Sequence, residues 1–549
     1  MLSKLLLNKN FIYTLISALS IGIAWLFPDT FICVLLGFTS AFFYILLLKN
    51  DALISYYFLL GIILNSLGFY WLFNTIHDFG QFNIFLSILG FLIFLVLSSL
   101  QFIFPPIIYK YLKRSKFLNS LSLPSTLSFI FVESFCPKIF PWYYGHTTLY
   151  FKSLSLNASI GGVLMLSFFM FWISEYIIDL YIYISKKSRD KLLEDKLLED
   201  KLREDKLLED KILEDNIIKN KTIGYKKRPL FIAPIFFIAL LINGNFILRD
   251  KKDFPKTNIT LVQAIPTTEF AAQMQIIKAD VFKYYNLTKE HIKNKSHTLI
   301  IWPESVITNL VHENIRNVKN NYKLPFFGDN YPLITGALSY NDKKEFFNSI
   351  FFVGKYGQVS APYHKQILIP FGEYIPFAKY LPFLKKITKL EGFFNKGKTV
   401  RVYAYRDNNG NLVKVSPFVC YEELVPRISR DATKKGANLL VGLSNDGWFG
   451  KGVALHQHNM ISSFRAIENN KFLIRSTHTG LSAIIDNNGY KVLEFPIYSD
   501  FVASFDVPLI EGKTFYSKIG DIPLNILNFF TIFYLVSCVA LSVFRHFSQ

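Results

Sequence analysis

The sequence predicts a polytopic α-helical membrane bundle of about eight spans joined to one large water-exposed α/β domain. Three observations predict it. The 549 residues are 51% apolar and 17% aromatic, with 30 Tyr and 56 Phe. Only 18% are Lys, Arg, Asp or Glu, where a soluble domain carries about 25%. The apolar residues crowd into 1–250 and again near 523–543, and the stretch between alternates strand-like and helix-like periodicity. Mean hydropathy is +0.27. Disorder, a small disulfide scaffold and a single ordinary soluble domain are excluded.

The predicted spans run near 9–28, 31–49, 55–74, 83–108, 119–137, 155–183, 229–247 and 523–543. Most hold roughly 20 residues, enough for a helix to cross about 30 Å of hydrocarbon. The first follows Lys4 and Lys9 as a signal peptide would. A second span follows at once with no small-x-small cleavage site, so it reads as a retained helix. The 119–137 segment is the least regular. It contains Pro124 and Glu133 and reads equally as half-buried. Glu133 is placed near an interface or beside a lipid-facing site.

Charge sets the sidedness. Net charge is +19, and much of it flanks apolar spans. Lys49, then Lys110, Lys113, Arg114 and Lys116, then the basic stretch 185–228 define one class of loop. The loops near 28–30, 75–82 and 138–154 hold only Lys138 and Lys152. Positive-inside bias makes the first class cytoplasmic. Both termini are then inside and residues 248–522 outside. This bias accounts for the charge without nucleic acid.

Of four cysteines, Cys33, Cys136 and Cys538 lie in or beside apolar spans, and Cys420 stands alone in the polar region. No internal disulfide there and no CxxC zinc site is expected. Lys191 to Asp215 repeats a KLLED-type pentapeptide five times. Its residues favour helix. Each copy advances about 140° around the wheel, so the leucines spiral without a stripe. A solvated helical insert is expected.

In 248–522 the strand-like runs are 257–265, 298–304, 332–340, 348–354, 414–422, 438–446, 471–485 and 490–495. Helix-like runs are 269–287, 422–436 and 453–469. Strands interleaved with helices imply a layered α/β domain. Polar chemistry sits at strand ends. Glu304 closes IIWPE. Cys420 closes VSPFVC before a helix, where free backbone N–H groups lower a thiol pKa and can hold an oxyanion. Lys365 precedes the loop-like ILIPFGEYIP. Glu, Lys and Cys from three segments form a nucleophilic set of base, oxyanion donor and nucleophile. Each has a plainer reading alone: Glu304 as a loop ion-pair partner, Lys365 as a surface charge, Cys420 as core packing. His456 and His458, two apart on a helix, do not share a face. They are expected to cap or pack and not to bind metal.

Five ordered motifs carry a resemblance: IIWPES (300–305), YHKQILIPFGEYIP (363–376), FVCYEELVP (418–426), LSNDGWFG (443–450) and RAIENNKFLIRSTHTG (465–480). The region FCPKIFPWYYGH (135–146) and the span pattern agree with them. Together they resemble the bacterial apolipoprotein N-acyltransferases, the membrane branch of the nitrilase superfamily, over the whole chain outside the repeat. The resemblance implies an α-β-β-α sandwich. It implies Glu304 as general base, Lys365 as oxyanion-stabilising lysine and Cys420 as acylated nucleophile. Glu373 resembles a second essential glutamate that orients the lysine. Tyr421 and Glu422 match the residues after the nucleophile. Asn445, Trp448 and Phe449 fall in a loop expected at the membrane surface. Phe270 stands near where relatives carry a tryptophan at the substrate entrance. It keeps an aromatic plane but loses the indole N–H, and its plainer reading is core packing.

The implied organisation is membrane helices one to six over 1–185, a cytoplasmic loop with the repeat over 186–228, helix seven over 229–247, a periplasmic nitrilase-like domain over 248–522, and helix eight with a short cytoplasmic tail over 523–549. The implied reaction moves an acyl chain from a phospholipid, through a Cys420 thioester, to the α-amine of a diacylglyceryl-cysteine apolipoprotein. Thioester exchange needs no ATP, metal or other cofactor, and no nucleotide loop is expected. A bacterial inner-membrane monomer with no nucleic-acid partner is expected. A membrane-bound nitrilase-type hydrolase is the alternative, and a transporter or receptor the more distant one.

Overall fold

The computed structural model describes residues 8–203, 229–249, 253–266, 277–293, 295, 297–318, 324–370, 372–375, 380 and 394–547. Its centre is a pair of stacked sheets. The first contains β1 (Lys256–Gln263), β2 (Leu299–Ile301), β3 (Ile307–His312), β4 (Leu333–Tyr340), β5 (Phe346–Val353), β6 (Tyr363–His364) and, at its far edge, β13 (Phe501–Pro508). The order is β13-β1-β2-β4-β5-β6, with β3 pairing β4. The second sheet is β12 (Lys491–Glu494), β11 (Ala483–Ile485), β10 (Phe472–Thr477), β9 (Leu439–Ser444), β8 (Leu412–Val419) and β7 (Tyr403–Arg406), in that order.

Period-two alternation explains the layering. In β9, Leu439, Val441 and Leu443 join a cluster with Ile259, Leu261, Ile301 and Ile350 of the first sheet. Leu440 points the other way, toward Ile428 and Ala466 on helices. In the first sheet, Ile300 and Phe351 face outward with Tyr284 of the Ile277–Ile292 helix. Helix, sheet, sheet, helix is the α-β-β-α sandwich that the motifs implied.

The strand runs read from sequence are found with shifted ends, with one difference. Residues 471–485 are two antiparallel strands, β10 and β11, because the chain reverses between Thr477 and Ala483. β3, β6, β7 and β13 had no sequence signal. The run 422–436 is a 3₁₀ turn, Cys420–Leu424, followed by the helix Pro426–Lys434, since Pro426 restarts the helix at its first position.

Among the described residues, four helices are long and apolar enough to cross a membrane: Phe31–Lys49, Ile84–Leu112, Ala158–Leu193 and Ile522–Leu541. A fifth candidate is the pair Ile54–Gly68 and Trp71–Asp78, bent by 64°. Lys9–Ala24 and Ile232–Leu248 are shorter apolar helices. Among the described residues the expected count of eight is therefore not confirmed. The 119–137 segment yields a helix only over Pro124–Phe135. There Glu133 is buried and accepts the Tyr144 N–H at 2.8 Å, capping a loop within the bundle. The helix Ala158–Arg203 runs into the repeat, whose residues beyond 203 lie outside the described set.

The helices and the sandwich share a core. Ala454–Asn469 is almost wholly buried. Met460, Ile461, Phe464 and Ile467 on it join the cluster of the apolar helices. Gln457 accepts from Trp71 Nε1 at 2.9 Å and donates to the Trp25 and Gly68 carbonyls at 2.7 and 2.8 Å.

Candidate active site

The structure brings Glu304, Lys365, Glu373 and Cys420 into one buried cluster, each at most 5% exposed. Glu304 follows β2, and Ser305 after it takes a left-handed φ of 54°. The turn passes against Gly336, where a Cβ would meet the Ser305 backbone nitrogen and the Glu304 Cα. Only glycine admits this approach. Glu304 Oε1 accepts from Asn348 Nδ2 at 2.7 Å, and Oε2 from the Asn445 N–H at 2.7 Å. Burial pushes its carboxyl above the ordinary range. Lys365 opposes that, Glu373 adds to it, and the Asn348 and Asn445 hydrogen bonds oppose it.

Lys365 follows the edge strand β6, whose register on β5 sets Ser349 opposite His364. Its Nζ lies 2.8 Å from Glu373 Oε1 and 3.7 Å from Glu304 Oε1. Burial opposes its charge, but Glu373 and Glu304 outweigh burial and hold the ammonium protonated. Asn348 Nδ2 also reaches Glu373 Oε1 at 3.1 Å, while Glu373 Oε2 accepts the Ile369 N–H at 2.9 Å.

Cys420 ends β8 in a left-handed turn, φ 49°, an uncommon conformation for a residue with a Cβ. Burial raises its thiol pKa well above the usual value. Glu304 and Asp446 raise it further, while Lys365 and a Ser444 hydrogen bond act the other way. This corrects the expectation of a lowered pKa. Desolvation of the thiolate outweighs the nearby donors, so the resting group is a thiol.

Glu422 does not face this cluster. Its carboxylate accepts the N–H groups of Gln366 (2.6 Å), Ile367 (3.1 Å) and Val419 (2.8 Å) and the Tyr363 hydroxyl (2.7 Å). It thereby ties the backbone beside Lys365 to the backbone beside Cys420. Tyr421 turns outward, and its hydroxyl donates to the Ile139 carbonyl at 2.8 Å, in the loop between membrane-type helices. Asn445 caps the short turn Asp446–Phe449. The Trp448 carbonyl accepts from Thr75 Oγ1 at 3.0 Å, and Phe449 meets Trp71 edge-on at 5.1 Å. Both partners lie at the bend of the broken helix pair.

The comparisons with known proteins divide the chain in two. Residues 17–175 match the family model described as the apolipoprotein N-acyltransferase N-terminal domain, and residues 271–494 match the carbon-nitrogen hydrolase model. A curated apolipoprotein N-acyltransferase of Bdellovibrio bacteriovorus is 24% identical over 83% of this chain and 81% of its own length. In both parts the chain is similar to the apolipoprotein N-acyltransferases. Relatives of the same name from Shewanella oneidensis (30% identical) and Photobacterium profundum (28%) align over 55% of this chain, and over 58% and 59% of their own lengths. The chain thus spans little more than half of these two. Among solved structures, a nitrilase-superfamily amidase from Nesterenkonia AN1 is 16% identical with a TM-score of 0.34, covering 49% of this chain and 97% of its own.

The structure adds two residues that sequence reading missed, His478 and Arg475. His478 donates through Nε2 to the Glu304 carbonyl (2.6 Å), and its Nδ1 lies 3.0 Å from the Tyr284 hydroxyl. Arg475 joins Glu423 (2.5 Å) and Asp446 (3.4 Å) beneath the Cys420 turn. His458 bonds Asp446 at 3.1 Å, and His456 bonds Asp29 at 2.6 Å. These are packing and pairing roles. No group of three His, Cys, Asp or Glu able to hold a metal occurs among the described residues. Phe270 lies outside the described residues.

One sequence pattern bears on the expectation of no nucleotide loop. Residues 392–399 read GFFNKGKT and carry the GxxxxGKT spacing of a phosphate loop. The described part, 394–399, is irregular and leads toward β7, not into a helix. Gly397 donates to the Lys365 carbonyl at 2.7 Å. The strand-loop-helix context that lets such a motif cradle phosphate is missing here.

Proposed function

We propose that this protein transfers an acyl chain from a phospholipid to the N-terminal α-amine of a diacylglyceryl-cysteine lipoprotein, through a thioester on Cys420. Glu304 takes the thiol proton as Sγ attacks the ester carbonyl. Lys365 and backbone N–H groups hold the tetrahedral oxyanion. The lysophospholipid leaves with a proton returned by Glu304. The neutral α-amine then attacks the thioester and loses a proton to Glu304, which passes it to the Cys420 thiolate as the C–S bond breaks. A free α-amine has a pKa of about 7.7–8.0, so a usable fraction is neutral near pH 7. Glu373 balances the charge of Lys365 and fixes its direction.

The observation that carries the reading is the bond from Tyr421, the residue after the nucleophile, to the Ile139 carbonyl of the helical half. Glu, Lys and Cys alone suit a hydrolase of small amides equally well. A nucleophile turn attached to apolar helices suits substrates whose chains stay in lipid. Extracting a chain into water would cost about 0.8 kcal/mol per CH₂. The loop charges favour a bacterial inner membrane with residues 248–522 on the periplasmic side and both termini cytoplasmic, the chain acting as a monomer.

The test is mass spectrometry of a diacylated lipopeptide incubated with phospholipid and the detergent-purified protein, beside Cys420→Ala. A gain of one acyl chain on the α-amine, absent with the variant, is expected. Release of free fatty acid with no gain on the peptide would replace transfer by hydrolysis.

A further inference from the structure

A second polar site lies where the helical half meets the sandwich, on another side of the turn that holds Cys420. A cavity of about 230 Å³ opens there. Val425 and, from the Pro426–Lys434 helix that follows it, Pro426, Arg427 and Arg430 form one wall. Ser134, Tyr143, Leu524 and Asn525 contribute to the others. The roles proposed above for Glu304, Lys365 and Cys420 use none of these residues.

Three features give the cavity its chemistry. The helix starts at Pro426 with no side-chain cap on its first turn, so its free N–H donors have no protein acceptor from a capping side chain. Arg427 is half exposed, and its one ion pair, to Asp431, is long at 3.8 Å. Arg430 pairs Asp521 through one terminal nitrogen at 3.3 Å. Its Nε is buried with no hydrogen-bond partner. Asp521 also accepts the Tyr516 hydroxyl at 3.1 Å, so the one carboxylate on the lining is already engaged. Two guanidinium groups three residues apart share a helix face, and their forked donors match phosphate oxygens.

What lies next to the cavity selects the source of that phosphate. Leu524 and Asn525 begin the apolar helix Ile522–Leu541, the least enclosed of the four candidate spans, with 17% of its residues buried. Ile526, Phe529, Phe530 and Phe533 on it are exposed. An anion-binding cavity continuous with an uncovered apolar helix fits a phosphate carrying acyl chains.

We infer that Arg427 and Arg430 hold the phosphate of a resident phospholipid whose chains run along the Ile522–Leu541 helix. This lipid is separate from the acyl donor and is not consumed. Because the Pro426–Lys434 helix follows the nucleophile turn directly, the lipid anchors that turn at the level of the headgroups. The inference rests on the membrane reading given above.

The test is native mass spectrometry of the full chain, released from detergent, in a Cys420→Ala background so that no lipid turns over. The protein is titrated with phosphatidylglycerol, with diacylglycerol, or with inorganic phosphate. Wild-type residues at 427 and 430 are expected to retain one more phosphatidylglycerol than Arg427→Gln retains. The expected weakening is about tenfold, the loss of roughly one charge-assisted contact. Diacylglycerol is not retained there, and inorganic phosphate does not displace the lipid. Arg430→Gln also breaks the Asp521 pair, so Arg427→Gln decides the matter if the former does not fold. Equal retention by the variant, equal retention of diacylglycerol, or displacement by inorganic phosphate as an adventitious ion would each overturn the inference. A chain that stays soluble without detergent would instead overturn the membrane reading.

Discussion

Glu373 holds Lys365 more closely than Glu304 does, at 2.8 Å against 3.7 Å. The lysine charge is thus compensated mainly by Glu373. Glu304, left with the longer contact and a raised pKa, is the better proton acceptor.

Replacing Glu373 by Gln therefore has a signed consequence. Glu373 raises the Glu304 pKa, and without it Lys365 pairs with Glu304 alone. Both changes lower that pKa. As pH falls, a base is lost when it protonates, so the acid limb of Cys420 acylation moves to lower pH in Glu373→Gln. The plateau rate falls at the same time, because the base is weaker. Single-turnover acylation followed across pH checks this; an unmoved or raised limb would contradict it.

Glu304→Gln separates ionisation of Cys420 from its use. The Glu304 charge raises the thiol pKa, so removing it eases thiolate formation. Iodoacetamide should alkylate Cys420 faster near pH 9 in the variant than in the parent. Acyl transfer at neutral pH should nevertheless be lost by about 10²-fold or more. Parallel loss of both reactivities would argue against Glu304 as the base.

Glu422→Gln puts an amide NH₂ where three backbone N–H groups and a hydroxyl now donate. A destabilisation of about 1–3 kcal/mol is expected from the lost charge-assisted bonds. Displacement of Lys365 should lower acyl transfer by about 10²-fold even in the folded fraction. Thermal unfolding together with activity per folded molecule distinguishes the two effects. A stable variant with full activity would show that the Gln366 and Ile367 contacts do not place the lysine.

Gly336→Ala drives a methyl against the Glu304 backbone. Overpacking there should cost about 1–3 kcal/mol and reduce acylation of Cys420 more than alkylation of it. Differential scanning fluorimetry and the two rates, measured on one preparation, check the order.

Deleting 191–215 should leave acyl transfer unchanged, since Leu192 and Leu193 point outward. A folded deletion variant unable to transfer acyl groups would count against a purely solvated insert.

Glu304 and Cys420 were legible because each closes a run of strand periodicity, and Lys365 because it stands before a Pro- and Gly-rich loop. The sandwich was legible from the longer strands. β6 has only two residues, too few for any periodic signal. The reversal between β10 and β11 passes through Thr479 and Gly480 inside a stretch that reads as one strand-like run. Ala454–Asn469 shows no stripe because both its faces are buried. Glu422 was legible as a motif position but not in its task, since two of its backbone partners, Gln366 and Ile367, are more than 50 residues away in sequence. The thiol pKa was read with the wrong sign because sequence shows donors near Cys420 and not the depth of burial. A hydropathy window registers neither the 64° bend between Gly68 and Trp71 nor the early end of the Pro124–Phe135 helix.

The helix Ala454–Asn469 presents Met460, Ile461, Phe464 and Ile467 to the bundle cluster. It also presents Ala466 to the outer face of the second sheet. Neither half can close its interior without it. Folding of the two halves is therefore coupled: residues 248–522 keep one side of this helix uncovered until the apolar helices pack against it. Expressed alone, they are expected to present an open apolar seam and to aggregate.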